Sequence, residues 1–167
     1  MSRALVALGS NIPPRRATLR AAVEALDALP GTRVLAVSRF HETAPVDAPD
    51  GSGPFMNGAC LLSTTLHPEA LLDELLGIEE EHGRVREERN GPRTLDLDLV
   101  LHGDQVLETE QLTLPHPRAH ERLFVLEPAV EVAPAMRHPT LDRNLLELRD
   151  ALRAGVDVTA TADGADP

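Results

Sequence analysis

The spacing of apolar residues in the first part of the chain predicts one helix and three strands. Residues 3–8 form an apolar run that ends at a Gly-Ser-Asn turn, which is typical of a buried strand. Apolar side chains then recur every three or four positions over residues 19–26, so we expect an amphipathic helix that ends before Pro30. Residues 32–41 and 55–65 carry β-branched or alternating patterns and are predicted as strands.

The second part of the chain predicts two helices and another clear strand. A helical pattern covers residues 68–82, and residues 94–102 alternate between apolar and polar side chains as a strand does. Short strands are expected near Val106 and Leu112. A last amphipathic helix is predicted over residues 141–152.

The predicted elements begin in the order β-α-β-β-α-β. This is the order of a ferredoxin-like α+β fold, in which helices cover an antiparallel sheet, and further elements follow here at the C-terminus. No shift in composition marks a boundary, so we expect one domain over residues 1–155 and a frayed tail over residues 156–167. Three loops punctuated by Gly or Pro, residues 9–16, 43–54 and 83–93, are candidates for lids over a site.

Charge and composition exclude several classes of protein. The 167 residues carry 16 basic and 27 acidic side chains, a net charge of -11, and every basic residue is arginine. Without lysine there is no Walker A loop, and an acidic chain with so few aromatic residues is a poor binder of nucleic acid. A single cysteine, with no signal peptide and no membrane-spanning run, predicts a soluble cytoplasmic protein without an internal disulfide.

Two acidic residues in the strand predicted over residues 94–102 are candidate metal ligands. Alternation places Asp96 and Asp98 on one face, with Cα atoms about 7 Å apart, and the leucines on the other. At about 6 Å and an effective dielectric near 20, the carboxylates would repel by roughly 3 kcal/mol, a cost that a shared divalent cation reverses. With water and phosphate oxygens they describe a magnesium site, whereas the alternative is a solvated strand face that tolerates two acids.

The loop before this strand carries a local excess of positive charge. Arg84, Arg86, Arg89 and Arg93 outnumber the two glutamates of the loop, although the chain as a whole is acidic. Guanidinium groups bind phosphate oxygens in pairs, so arginines beside a metal site would clamp a nucleoside triphosphate. In the alternative interpretation, these arginines pair with the glutamates of their own loop.

Phe55 and Asn57 share one face of their predicted strand, directly after the first loop. A ring and an amide in this position suit a flat heterocycle, which stacks on the ring and forms hydrogen bonds with the amide. Phe124, two residues after Arg122, allows the same interpretation. The alternative for both phenylalanines is a place in the hydrophobic core.

Several short motifs follow one another along most of the chain. They are ALGSN ending at Asn11, ETAP around Thr43, FMNGA from Phe55, GRVR over residues 83–86, GPRTLDLDLVL over residues 91–101, LTLPHPR over residues 112–118 and ERLFVLEPAVEVAP from Glu121. In this order they resemble the 6-hydroxymethyl-7,8-dihydropterin pyrophosphokinases of folate biosynthesis. The resemblance covers residues 4–134, and the GPRTLDLDL segment is its most specific part.

The resemblance implies a reaction and a set of catalytic residues. The enzyme would transfer the β,γ-pyrophosphoryl group of ATP to the hydroxymethyl oxygen of the pterin and release AMP. Asp96 and Asp98 would bind two magnesium ions, and Arg84 and Arg93 would act with them in catalysis.

The resemblance also implies where the two substrates bind. The pterin would lie between Phe55 and Phe124, with Asn57 and the backbone around Thr43 and Val46 at its hydrogen-bonding edge. The residues expected to bind ATP are Leu72, Glu79, Arg84, Arg86, Arg93, Leu99, Thr113, His116 and Arg122.

The chain departs from well-known members of the family at a few positions. Asn90 stands where tryptophan is frequent, Gln111 replaces an arginine and Pro117 replaces a tyrosine. The arginine-rich loop is one residue shorter than usual and has an acidic residue in place of a lysine. These departures bear on ATP affinity and on loop closure, while the metal and pterin positions are intact.

Two other functions share part of this pattern. RNA-binding modules can have the same order of elements, but the chain lacks the basic and aromatic residues that they use. A magnesium-dependent phosphohydrolase could use the same aspartates with water as the nucleophile.

The expected partners are the small-molecule substrates alone, with neither nucleic acid nor membrane, and the expected state is a monomer.

Overall fold

A computed structural model describes residues 1–11, 13–43, 55–82 and 95–159, which contain nine strands and four α-helices. The strands are β1 (Ser2–Ser10), β2 (Thr32–Val37), β3 (His41–Thr43), β4 (Phe55–Thr64), β5 (Asp96–His102), β6 (Leu107–Glu108), β7 (Thr113–Leu114), β8 (Arg137–His138) and β9 (Arg143–Asn144). The helices are α1 (Arg15–Asp27), α2 (Pro68–His82), α3 (Leu123–Val132) and α4 (Leu145–Arg153), with a 3₁₀ turn at Ala119–Glu121.

The main sheet has the strand order β2-β4-β1-β5, and each neighbouring pair is antiparallel. The short strand β3 pairs with the first residues of β4. Because β4 lies between β1 and β2, the two strands joined by α1 are separated in the sheet, as in ferredoxin-like folds. The predicted fold class is therefore confirmed.

The main sheet is buried on both faces. Along β1, Ala4, Val6 and Leu8 belong to a first core shared with α1 and α2. Leu5 and Ala7 point to the opposite face and belong to a second core shared with α3 and α4. Burial on both faces explains why β1 is a continuous apolar run and does not alternate.

The single cysteine, Cys60, is a packing residue of the first core. It lies on β4, is 0% exposed and forms no disulfide. Burial raises the pKa of its thiol to about 12, because the thiolate would lose its hydration. Cys60 is therefore not a nucleophile in the folded protein.

The prediction of one continuous strand over residues 32–41 is wrong in one respect. The chain leaves regular pairing at residues 38–40, which separate β2 from β3. There the N–H of Ser38 donates to the carbonyl of Ala59, and the Oγ of Ser38 accepts from the N–H of Ala59, both at 2.9 Å. Phe40 packs against Gly58, where a Cβ would lie 2.8 Å from the ring. The missing side chain of Gly58 makes room for the ring, and the strand is interrupted at that point.

Sequence patterns do not predict α3, because Pro128 stands inside it. Proline has no N–H to donate to the carbonyl four residues earlier and is therefore rare inside helices. Val125, Leu126 and Ala129 are nevertheless buried in the second core. Tertiary packing thus stabilises a helix that local preference disfavours.

The C-terminal segment also differs from the prediction. The last helix begins at Leu145 rather than at residue 141, because Asn144 and Glu147 form a capping box (Asn144 Oδ1 to Glu147 N 2.8 Å). After α4 residues 154–157 are exposed, but Val158 is buried in the second core. Residues 160–167 of the expected tail lie outside the described residues.

Two of the three predicted lid loops, residues 43–54 and 83–93, lie outside the described residues apart from Thr43. In the third, residues 9–16, β1 continues to Ser10 and α1 begins at Arg15. Over the part of the chain that the structure describes, no helix is both long and apolar enough to cross a membrane.

His138 in β8 makes stability depend on pH. The residue is 7% exposed, and its Nδ1 accepts hydrogen bonds from the N–H groups of Thr140 (3.3 Å) and Leu141 (3.2 Å). Burial, with a smaller contribution from His120, lowers the pKa of His138 from 6.5 to about 4. As pH falls, the unfolded chain binds this proton first, so the free energy of unfolding should decrease between pH 6.5 and about 4.

A His138→Asn variant tests this prediction, because asparagine keeps an acceptor but does not take up a proton in this range. We expect the wild type to lose up to about 3 kcal/mol more than the variant over the interval. Urea unfolding of both proteins at about pH 7, 5.5 and 4 measures the difference. Parallel pH curves for the two proteins would contradict a lowered pKa for His138.

Candidate active site

A cavity of about 500 Å³ opens on the face of the sheet that α3 covers. Its walls come from β1, β3, β4, β5 and the start of α3. Seven residues that the sequence singles out meet there: Thr43, Phe55, Asn57, Asp96, Asp98, Arg122 and Phe124. The volume is in the range of pockets that hold small organic ligands.

Gly9 lies on the floor of this cavity between two polar neighbours. In the register of the sheet it is opposite Asn57 on β4 and opposite Asp96 on β5, so all three residues share one face. A Cβ at Gly9 would lie 3.1 Å from Asn57 Oδ1. Gly9 and Ala7, which is opposite Asp98, therefore leave open the space that the cavity occupies.

Asp96 and Asp98 lie on the cavity side of β5, as the alternation predicts. Leu97 between them points to the first core and is 5% exposed, whereas Asp98 is exposed and Asp96 is half-buried. The carboxylate of Glu79 on α2 accepts a hydrogen bond from the N–H of Leu97, with Oε2 2.7 Å from N. This contact fixes the backbone of β5 between the two aspartates.

The two aspartates form an incomplete set of metal ligands. Among the residues whose positions are described, no group of three or more His, Cys, Asp or Glu side chains could hold a metal ion. A closed structural zinc site would need four such ligands, but Mg²⁺ commonly binds through one or two carboxylates and keeps water or phosphate oxygens. The donor set therefore fits magnesium bound together with a phosphorylated ligand.

Asn57 and Thr43 form the other, hydrogen-bonding end of the cavity. Asn57 is 8% exposed, and its Nδ2 donates to Thr43 Oγ1 at 2.8 Å. This bond sets the orientation of the amide, with Oδ1 on the side of Gly9. Phe55 is opposite Thr43 in the β3–β4 pair, so a ring and a fixed amide stand together.

The start of α3 brings Arg122 and Phe124 to the cavity. Arg122 precedes the first turn of the helix, and its Cζ lies 5.6 Å from the centroid of the Phe124 ring. Phe124 is 44% exposed, so it does not belong to the hydrophobic core. Its ring is available to stack on a ligand.

Thr113 and His116 border a second hollow of about 240 Å³. Burial lowers the pKa of His116, the charge of Asp98 opposes this effect, and Arg122 and Arg118 add to it. His116 is therefore neutral at pH 7 and within electrostatic range of Asp98.

Three of the residues expected to bind ATP lie on the other face of the sheet. Leu99 is buried in the first core, Leu72 packs against that core, and Glu79 bonds to β5 from the same side. The structure does not bring them to the cavity that holds the aspartates. The expected residues outside the described segments are Val46, Arg84, Arg86 and Arg93.

Sequence reasoning missed the residues that shape the cavity by size and apolar surface. Ala7 and Gly9 form its floor, and Leu123 and Val125 contribute apolar walls. The ALGSN segment signals a turn after a strand, which locates Gly9 but does not reveal its neighbours across the sheet. The apolar contributions of Leu123 and Val125 are not apparent from the sequence, because its pattern does not predict α3.

Fold and site together define a small α+β enzyme domain with a carboxylate pair near an aromatic, hydrogen-bonding pocket. A sequence model of the 7,8-dihydro-6-hydroxymethylpterin-pyrophosphokinase family matches residues 5–134. The chain therefore belongs to this family of diphosphotransferases, which acts in folate synthesis.

Named relatives agree with this assignment. A 2-amino-4-hydroxy-6-hydroxymethyldihydropteridine pyrophosphokinase of Pseudomonas aeruginosa is 45% identical over 148 residues, covering 89% of this chain and 90% of its own. One of the same name from Bacillus subtilis is 48% identical over 129 residues, 77% of each chain. The folic acid synthesis protein fol1 of Schizosaccharomyces pombe is 40% identical over 149 residues, 89% of this chain but only 20% of that protein.

Solved structures share the fold. Plasmodium falciparum HPPK-DHPS crystallised with pterin and p-hydroxybenzoate superposes with a TM-score of 0.68 at 14% identity. The match covers 92% of this chain and 43% of that one, so this chain spans less than half of the larger protein. At this identity the comparison supports the architecture alone.

Proposed function

We propose that this enzyme transfers the β,γ-pyrophosphoryl group of ATP to the hydroxymethyl oxygen of 6-hydroxymethyl-7,8-dihydropterin. The hydroxyl oxygen bonds to the β-phosphorus, the bond from that phosphorus to the bridging α-phosphate oxygen breaks, AMP leaves and the hydroxyl proton is released. The observation that carries this proposal is that one cavity holds Asp96 and Asp98 together with Phe55, Asn57 and Phe124. A place for a metal-bound triphosphate thus adjoins a place for a flat heterocycle.

The pterin occupies the end of the cavity at Asn57. The amide is fixed by Thr43 and keeps an acceptor and a second N–H for the edge of the ring. Phe55 from the sheet and Phe124 from α3 offer stacking surfaces on two different elements. Backbone groups around Thr43 and Val46 complete the recognition. Binding in this way holds the hydroxymethyl group in the orientation that the reaction needs.

The triphosphate occupies the end at Asp96 and Asp98, which hold two magnesium ions in this proposal. Magnesium, when bound, neutralises triphosphate charge and lowers the pKa of the attacking hydroxyl. Guanidinium groups bind the phosphate oxygens and draw charge away from the attacked phosphorus. The arginines assigned to this role are Arg84, Arg86, Arg93 and Arg122.

The adenosine part of ATP binds toward Thr113 and His116, with Leu72, Glu79 and Leu99 contributing from the side of α2. Because His116 is neutral at pH 7, it can form hydrogen bonds with an uncharged base or ribose without adding charge. Asn90, Gln111 and Pro117 bear on the affinity for ATP and leave the chemistry unchanged.

We also propose that the protein acts in the cytoplasm as a monomer, with its small-molecule substrates as its only partners. The net charge of -11 and the three phenylalanines as the sole aromatic residues support the lack of a nucleic-acid partner. Light scattering during size-exclusion chromatography checks the oligomeric state, and a stable mass of twice 18.0 kDa would contradict a monomer.

Calorimetric titration of the pterin tests the proposed function. With magnesium and a non-hydrolysable ATP analogue present, we expect one pterin bound per chain. Omission of magnesium or of the ATP analogue should weaken pterin binding about tenfold or more, since the two substrates share one cavity. With ATP itself, AMP should form only when the pterin is present. Nucleotide cleavage without the pterin would indicate a hydrolase instead.

The carboxylate of Asp98 should be needed for turnover but not for folding. In Asp98→Asn the side chain keeps its size and loses its charge at an exposed position, so we expect turnover to fall at least about 100-fold with an unchanged Tm. Asp104→Asn, in the turn after β5, is the matched control and should retain turnover. Wild-type turnover in Asp98→Asn, measured as AMP release, would reject the proposed role.

Phe124 should contribute to pterin affinity through stacking. We expect Phe124→Ala to weaken pterin binding by about 1 to 3 kcal/mol, by analogy with stacked nucleic-acid bases. Leu146→Ala on α4 removes an apolar side chain of similar exposure, 37% against 44%, and should leave the affinity unchanged. Equal pterin Kd values for wild type and Phe124→Ala, measured by calorimetry, would exclude stacking on this ring.

A further inference from the structure

A glutamate on α3 connects that helix to the short strand beside Asn57. Glu131 accepts three hydrogen bonds: from the backbone N–H of Arg39 at 2.8 Å, from the Arg39 guanidinium at 3.1 Å, and from His41 Nε2 at 2.6 Å. We propose that Glu131 is a positioning residue that holds β3 in place and thereby fixes the amide of Asn57 for pterin recognition. The inference rests on the proposed function, which places the pterin at Asn57.

Strand β3 needs an anchor, because its pairing is short. It contains three residues and pairs only with β4 among the described strands, and the chain before it leaves regular pairing at residues 38–40. His41 is directly opposite Asn57, and Thr43 is opposite Phe55. Glu131 therefore contacts the strand at the position that neighbours the recognition amide.

The carboxylate of Glu131 is suited to act as this anchor. Burial raises its pKa, but the hydrogen bonds donated by Arg39 and His41 outweigh burial and lower the pKa overall, so the group is ionised at pH 7. The Arg39 guanidinium is 81% exposed, and such exposed ion pairs contribute little. The bonds to the Arg39 N–H and to His41, which is 31% exposed, are the ones that fix the position of β3.

A displacement of β3 would be transmitted to the site through one hydrogen bond. Thr43 Oγ1 accepts from Asn57 Nδ2 at 2.8 Å, and this bond determines which side of the amide faces Gly9. If Thr43 moves, the amide can rotate and present a donor where an acceptor stood. The pterin edge would then meet the wrong group, whereas the triphosphate end at Asp98 would be unaffected.

Helix α3 offers a control of the same residue type. Glu127, one turn earlier, forms bonds of 2.8 Å to the Arg153 guanidinium and lies 3.7 Å from Arg149, so it connects α3 to α4 and not to β3. The exposures of the two glutamate side chains are similar, 23% and 28%. Substitution of either glutamate should therefore weaken the packing of α3. Only substitution of Glu131 should change the orientation of the Asn57 amide.

The experiment compares Glu131→Gln and Glu127→Gln with the wild type. For Glu131→Gln we expect a pterin Kd raised about tenfold, with the KM for ATP within about twofold of the wild type. The side-chain amide signals of Asn57 in ¹⁵N NMR spectra should shift in Glu131→Gln only. Glu127→Gln should keep the wild-type pterin Kd even where its Tm is lowered, and Glu131→Asp should restore part of the affinity.

Each other outcome overturns the inference. An unchanged pterin Kd and unchanged Asn57 signals in Glu131→Gln would show that β3 is held without Glu131. Equal losses of pterin affinity in the two glutamine variants would assign the effect to the stability of α3. If the wild type itself does not bind the pterin, both the proposed function and this inference fail. If the wild type binds the pterin and Glu131→Gln binds it equally well, only the inference fails.

Discussion

Pairing of β1 with β4 on one side and with β5 on the other sets the geometry of the whole site. Gly9 is opposite both Asn57 and Asp96, so two inter-strand spacings, about 10 Å, separate the backbone of Asn57 from that of Asp96. Register is a strict constraint here, because a slip of one residue would turn each of these side chains to the other face. The hydrogen-bond ladders of the sheet thus determine the distance between the proposed pterin end and the proposed triphosphate end of the cavity.

Helix α3 brings two further side chains to the cavity and to β3. Its first turn carries Phe124 to the cavity, and its last turn carries Glu131 to β3. Between them, Val125, Leu126 and Ala129 bury the helix in the second core. One helix therefore contacts both the cavity and β3, so the packing of the second core and the position of the cavity residues depend on each other.

The sequence could predict elements whose periodicity is local, and much of the site with them. Helix α2 runs from Pro68 to His82 as its pattern indicates, and the alternation around Asp96 correctly assigns both aspartates to one face. Features that arise from distant contacts could not be predicted. The interruption at Phe40 depends on the missing side chain of Gly58 across the sheet, and α3 forms in spite of Pro128 because the second core buries it.

The same distinction applies to the residues of the site. The chemistry of Asn57 and Phe55 is readable from a strand pattern, but the bond between Asn57 and Thr43 requires the pairing of β3 with β4. Leu99 and Leu72 are proposed to bind adenosine, and they pack in or against the first core, on the face of the sheet opposite Asp98. Position within a motif therefore does not determine which face of the sheet a side chain occupies.

The burial of Cys60 has a practical consequence for spectroscopic work on this enzyme. A thiol that is 0% exposed, with a pKa of about 12, does not react with maleimide reagents while the protein is folded. A second cysteine introduced at the surface could therefore carry a fluorophore or a spin label without prior removal of the native one. Distances to bound nucleotide could then be followed in an otherwise unaltered chain.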